Sequence, residues 1–324
     1  MKNLLFSVSR GLVICAMLYG LNGCKFDDYE VTYPYSSVLF TYQDYIRNIV
    51  HGEGLKLNAG IVLAGMHNNH SDRVVKYEIA PALVTDDWEM QEQGKSVLPP
   101  AYYTLGHPSD IIVPKGQLRG YLPIVMDSLA FLNDARSLTG EFILPIRLVS
   151  SADVDSILPE KSYVRMSISY FGKQHGYYQY SGDFIKIMDG VVYYYNDFAF
   201  VWKEDESRRF LQTAGPTRFR VVADAANRAD PLNILTGTNI TGSVAFLINV
   251  PVNGTSVTIE ADPDSPYEVS SFGTSTYDPE ARTFHLEYEW TLEDGSICRV
   301  VEDLVFRNRV RDDQGNGIYI NEWK

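Results

Sequence analysis

Forty-one Asp and Glu side chains give this chain abundant carboxylates, and two facing carboxylates are what hydrolysis of a glycosidic bond requires. Abundance alone makes no pair, because the two groups must meet across a fold. The chain has no Gly-x-Ser-x-Gly elbow, no His-Glu-x-x-His and no Gly-rich phosphate loop before a Lys. No catalytic residue is assigned, and the chain is expected not to be an enzyme. His67-Asn68-Asn69-His70 brings two imidazoles close in a polar turn, without Cys or carboxylate in register for zinc. Asp262-Pro263-Asp264 and Asp312-Asp313-Gln314-Gly315-Asn316-Gly317 carry oxygen ligands of the calcium type, but neither has a bidentate Glu at EF-hand spacing. Turn chemistry accounts for both. Neither a metal nor a cofactor is expected.

Binding is the remaining chemistry. Sugars offer apolar C–H faces to aromatic rings while their hydroxyls pair with polar side chains, so a glycan site needs an aromatic shelf beside polar groups. Trp88 stands among charged residues in Asp86-Asp87-Trp88-Glu89, where an aromatic ring is expected to be exposed. Further shelf material lies in Tyr177, Tyr178 and Tyr180, in Tyr193-Tyr194-Tyr195 and in Trp202. On a strand one of each adjacent pair points inward, so core packing is the default for any single one. The candidate ligand-binding set is Trp88, Tyr177, Tyr178, Tyr193, Tyr195 and Trp202.

The elements that carry these residues are read as β-strands. Aromatic residues make up 13 % of the chain, with 22 Tyr, and this composition favours strands. Short apolar runs such as Leu55 to Ala64, Arg73 to Ile79 and Tyr163 to Tyr170 are separated by Gly, Pro, Asn and Asp, with no long helical crossover between them. Pro114-Lys115-Gly116, Asp189-Gly190 and Asp294-Gly295 are turn signals. One short helix is expected to begin at Asp86, on a capping-box spacing to Glu89. The fold class is therefore all-β: an N-terminal immunoglobulin-like sandwich over 31–172, antiparallel, then a C-terminal antiparallel lipocalin-like barrel over 173–324, with a sandwich as the alternative. The net charge of −13 argues against a nucleic-acid partner.

Residues 1–23 have the order of a secretory signal, with Lys2 and Arg10 ahead of the apolar run Leu12 to Leu18, too short to span a bilayer. Leu21-Asn22-Gly23-Cys24 resembles the bacterial lipobox, with Asn22 departing from the usual small residue; the resemblance implies lipidation of Cys24. Residues 24–30 then form an acidic tether. Lys25, Asp27, Asp28 and Glu30 resemble the export tract of Bacteroidetes surface lipoproteins, which implies a lipid-anchored, surface-exposed protein of the outer membrane. Of three cysteines only Cys298 stays free in the mature chain, so no intramolecular disulfide is expected.

The order Leu98-Pro99-Pro100-Ala101-Tyr102-Tyr103, then Ile112-Val113-Pro114-Lys115-Gly116, then Phe142 to Ile146 followed by Ser150-Ser151-Ala152 is similar to the N-terminal domain of a large set of Bacteroidetes surface lipoproteins. In that set it also precedes family-18 glycoside hydrolase domains. The catalytic pattern of those hydrolases is not reproduced, since Asp153-Val154-Asp155 has its next acid only at Glu160. The stretch Tyr277 to Phe284 resembles the usual C-terminal partner domain. The resemblance implies a SusE-like glycan-binding lipoprotein, with glycan as ligand and a TonB-dependent transporter and neighbouring surface lipoproteins as partners. Asp127-Ser128-Leu129 and Asp155-Ser156-Ile157 resemble the O-glycosylation acceptor of such exported proteins.

Overall fold

The computed structural model describes residues 35–198, 208–223, 230, 232–236, 239–251 and 254–308. The leader, Cys24, Lys25, Asp27, Asp28, Glu30, Trp202 and the 312–317 loop lie outside the described residues. The fold is all-β, a two-sheet sandwich followed by a closed eight-stranded barrel.

Eleven strands precede residue 173: β1 (Ser37–Phe40), β2 (Asp44–His51), β3 (Lys56–Ala64), β4 (Arg73–Ile79), β5 (Ser96–Val97), β6 (Tyr103–Leu105), β7 (Asp110–Val113), β8 (Arg119–Met126), β9 (Phe142–Ser150), β10 (Ser156–Ile157) and β11 (Tyr163–Gly172). They form one sheet in the order β10-β1-β3-β8-β6 and a second in the order β2-β11-β9-β4-β7, with β5 on β9. Period-2 alternation sets which face is buried. Along β8, Gly120, Leu122, Ile124 and Met126 point inward while Arg119, Tyr121, Pro123 and Val125 point out. Val164, Met166, Ile168 and Tyr170 of β11 meet them in one core. The sandwich is not wholly antiparallel, because β2 runs parallel to β11, β1 to β10 and β5 to β9. The chain changes sheets between β1 and β2, so its first strands lie along its last, with the rest of the sandwich serving as the connection.

The expected helix is shifted by one residue. It spans Trp88–Glu92 and its cap is Asp87, whose Oδ1 accepts from the N–H groups of Glu89 and Met90 at 3.0 and 3.2 Å. Asp86 is already engaged as the C-cap of a preceding helical turn, Ala82–Thr85, its N–H donating to the Ala82 carbonyl.

Beyond residue 173 come β12 (Gly176–Met188), β13 (Val191–Phe198), β14 (Arg208–Thr213), β15 (Arg218–Ala223), β16 (Asn233–Thr236), β17 (Asn239–Ser243), β18 (Ala245–Asn249), β19 (Ser256–Ala261), β20 (Ser270–Ser271), β21 (Ser275–Asp278), β22 (Thr283–Thr291) and β23 (Ile297–Asn308). The ring runs β12-β14-β15-β18-β19-β21-β22-β23 and closes where β23 pairs with β12. Closure removes free sheet edges along that ring. The Asp189-Gly190 turn has φ of 50° and 78°, the left-handed pair that a two-residue hairpin needs, and it folds β13 back onto β12. Tyr178, Phe219, Phe246, Phe284, Leu286 and Tyr288 fill the interior.

The sandwich and the barrel touch at Gly172. Its N–H donates to Thr213 Oγ1 at 2.9 Å, and the His175 ring sits between Phe171 and Phe210 with centroids 5.2 Å from each.

Candidate functional site

Trp88 opens the Asp87-capped helix and is 71 % exposed. Its backbone is fixed from two sides. The Asp87 carboxylate that caps the helix also takes a hydrogen bond from Arg165 Nη1, and Arg165 grips Asp44 through both oxygens, at 2.6 and 2.8 Å. A forked guanidinium–carboxylate pair fixes direction as well as distance. The cap hydrogen bonds, foremost that from Met90, together with Arg165 hold the Asp87 carboxyl below the usual range. Asp86, Glu89 and Glu92, close to Trp88 in the chain, are exposed as well, so the ring stands in an acidic stretch of surface. Such a surface suits a neutral sugar, whose hydroxyls donate to carboxylates.

Among the described residues, neither Tyr177 nor Tyr178 joins Trp88 in one shelf. Tyr178 is fully buried in the barrel core with its hydroxyl donating to the Gln174 carbonyl at 2.9 Å, so it offers no face to a ligand. The cause is alternation: in β12 the odd residue Tyr177 faces out and the even residues Tyr178 and Tyr180 face in. Tyr177 is half-buried, packed against Phe210 at 4.8 Å with Arg208 over its ring. Tyr193 and Tyr195 belong to β13, and their side chains, like Trp202, lie outside the described residues.

The remaining sequence candidates have structural tasks. His67 and His70 are exposed, while Asn69 between them is buried and ties Arg73 to the Val113 and Pro114 carbonyls. Asp262 pairs with Arg220 and accepts from the Asp264 N–H at 3.0 Å. Asp127 caps a turn through Leu129 and Ala130, and Asp155 binds both the N–H and the hydroxyl of Ser36.

A second polar constellation, which composition and motif had not revealed, lies inside the barrel. Arg209 is fully buried, with Nη1 on Asp230 and Nη2 3.1 Å from Glu302 Oε2. The Glu302 contact has ion-pair distance without hydrogen-bond alignment, leaving Nε, Nη2 and Oε2 without a well-directed partner among the described residues. The Tyr288 hydroxyl donates to Glu302 Oε1 at 2.9 Å, and the guanidinium lies 3.9 Å from the centre of the Tyr180 ring. Among the described residues one cation faces two carboxylates, with all three side chains closed to water. Burial raises the Glu302 carboxyl above its ordinary value, Arg209 opposing it. Closed to solvent, it is a structural plug and not a reaction centre.

A group whose folded pKa is raised contributes stability below its unfolded pKa, about 4.3 for Glu, and loses that contribution as pH rises through the folded value. Glu302→Gln, which copies the neutral acid, is therefore expected to unfold in urea at neutral pH with no loss of stability or with a gain. The difference from the parent should vanish below the ordinary Glu range. A loss of about 3 kcal/mol at neutral pH would instead mean that Glu302 is ionised and paired.

A family model described as "-like, N-terminal domain" matches residues 31–155. A search of curated proteins finds no match. Among solved structures, a Bacteroides ovatus protein of unknown function aligns at TM-score 0.70 and 17 % identity, covering 84 % of this chain and 95 % of that one. At this identity the likeness concerns the fold. An auxiliary nutrient binding protein from Bacteroides thetaiotaomicron aligns at TM-score 0.42 and 15 % identity, covering 82 % and 91 % of the two chains. An overlap that loose carries no argument for this chain. Among the described residues no helix is long and apolar enough to cross a membrane.

Proposed function

We propose that this protein is a non-catalytic, cell-surface lipoprotein that binds glycan for an outer-membrane polysaccharide-uptake system. The observation that carries the reading is Trp88, a large ring held in solvent on a helix that Asp87, Arg165 and Asp44 lock in place. A rigid shelf loses little freedom on binding, which is what makes a weak stacking surface useful. Cys24 is the proposed lipidation site and Lys25, Asp27, Asp28 and Glu30 the export tract, on the strength of the sequence. The sandwich over 31–172 and the barrel over 173–324 are proposed as separate domains, supported by their distinct hydrophobic cores.

The test is retention on a panel of immobilised neutral glycans. Trp88→Ala is expected to weaken binding about ten-fold, which corresponds to about 1.4 kcal/mol. Unchanged binding by a folded Trp88→Ala variant would remove Trp88 from the site, and no retention of the parent protein on any glycan would end the reading. Protease treatment of intact cells tests surface exposure.

A second reading is that the chain positions a neighbouring transporter or hydrolase. It is favoured by β2, which among the described residues is an edge strand paired only with β11 and exposes Ile46, with Tyr42 exposed just before it. Recovery of a stable protein complex from outer membranes, with no glycan affinity, would favour this reading over the first.

A further inference from the structure

Among the described residues nothing covers the outer face of the five-stranded sheet, and one aromatic ring rests on it. Tyr121 of β8 stands opposite Gly60 of β3 and is 51 % exposed. A Cβ built on Gly60 would sit 3.3 Å from Cε1 and 3.4 Å from Cδ1 of that ring. The missing side chain is thus the space in which one face of the ring rests, and the other face is open. A glycine opposite an aromatic is a known way to stabilise a strand pair. That explanation leaves the neighbours unaccounted for.

Arg119, two residues from Tyr121, and Asn58, two residues from Gly60, point out on the same face. Lys56 follows on that row, opposite Val125. Among the described residues none of these three polar side chains has a hydrogen-bond or ion-pair partner. No Asp or Glu occurs in any of the five strands of this sheet, β10, β1, β3, β8 and β6, although the chain as a whole carries a net charge of −13. From Arg119 to Val125 the row extends about 20 Å at ~3.4 Å per residue. The face therefore combines an open ring, an apolar floor of Pro123 and Val125, and unpaired cationic groups.

We infer that this face binds a polysaccharide bearing carboxylates, with a sugar ring stacked on Tyr121 and its acidic substituents met by Arg119 and Lys56. The inference rests on the glycan-binding reading above and adds a second subsite of opposite charge preference to the acidic surface at Trp88. Arg119 takes a carboxylate in a forked pair, Lys56 attracts it as a point charge, and Asn58 is free to bond hydroxyls.

The probe is polygalacturonate in native affinity gels, run beside neutral dextran and starch gels, with the mature protein and three variants. Gly60→Val keeps Tyr121 but lifts its ring, Arg119→Glu reverses the charge, and Tyr121→Ala removes the shelf. Each is expected to weaken retardation by polygalacturonate at least ten-fold, while Val149→Ala, at an exposed side chain on β9 of the other sheet, leaves it within two-fold. Equal retardation of the parent and the three folded variants would overturn the inference. So would retention on neutral gels alone, lost in Trp88→Ala, although the glycan-binding function would then stand. Retention on no glycan would end both.

Discussion

Arg209→Met is expected to cost the barrel about 3–5 kcal/mol of unfolding free energy, the usual result when one member of a buried ion pair is removed. The chain sequence explains the size of the effect. Arg209 alternates with Leu211 and Thr213 on the inward row of β14, so its guanidinium cannot turn out to water. Without it, Asp230 and Glu302 lose the guanidinium set between them in the interior, and the cost of burying a carboxylate falls on the folded state alone. Urea unfolding at neutral pH measures the loss. A triple variant, Arg209→Met with Asp230→Asn and Glu302→Gln, should recover a large part of it, since the remaining groups are neutral and the ring packing is kept. A loss under about 1 kcal/mol for the single variant would mean that the interior admits water to the carboxylates.

Gly172→Val is the second large expectation. A Cβ at Gly172 would fall 2.4 Å from Cζ and 2.5 Å from Cε1 of Phe219, a fully buried ring of the barrel core. Overpacking of this kind costs about 1–3 kcal/mol, and here either β11 or the barrel must yield. Limited proteolysis should then cut faster near 172–176, and the melting temperature should fall. Phe219→Leu shortens the opposing ring, so the double variant should lose less than the sum of the two single changes. Strict additivity would show that the two positions do not press on each other.

The fold was largely legible because alternation and turn chemistry are local. Leu122 and Ile124 against Tyr121 and Pro123, or Asp189-Gly190 between two strands, need no knowledge of distant partners. The parallel pairing of β2 with β11 was not legible, since it depends on which sheet the chain enters after β1. The cap fell on Asp87 because Asp86 was already committed to the preceding turn, a competition that a four-residue pattern does not contain. Tyr178 was mistaken for shelf material in a run of tyrosines where facing is decided by a single residue of register. The Arg209 cluster had a readable signal. Glu302 stands between Val300 and Leu304 on the inward row of β23, just as Tyr288 stands between Leu286 and Trp290 on β22. Charged residues on an apolar row announce a buried network, but not which of them meet.

The parallel pairing of β2 with β11 runs from Asp44 beside Arg165 to His51 beside Gly172, where the chain passes into the barrel. A pull between the N-terminal side of the sandwich and the barrel would draw these two strands past each other along their length. Hydrogen bonds sheared in that direction resist together, whereas bonds peeled from one end give way in turn. Single-molecule stretching between those points should record one high-force rupture of the sandwich and no gradual unzipping. The same pairing that hides the topology from the sequence makes the sandwich a mechanical clasp under tension.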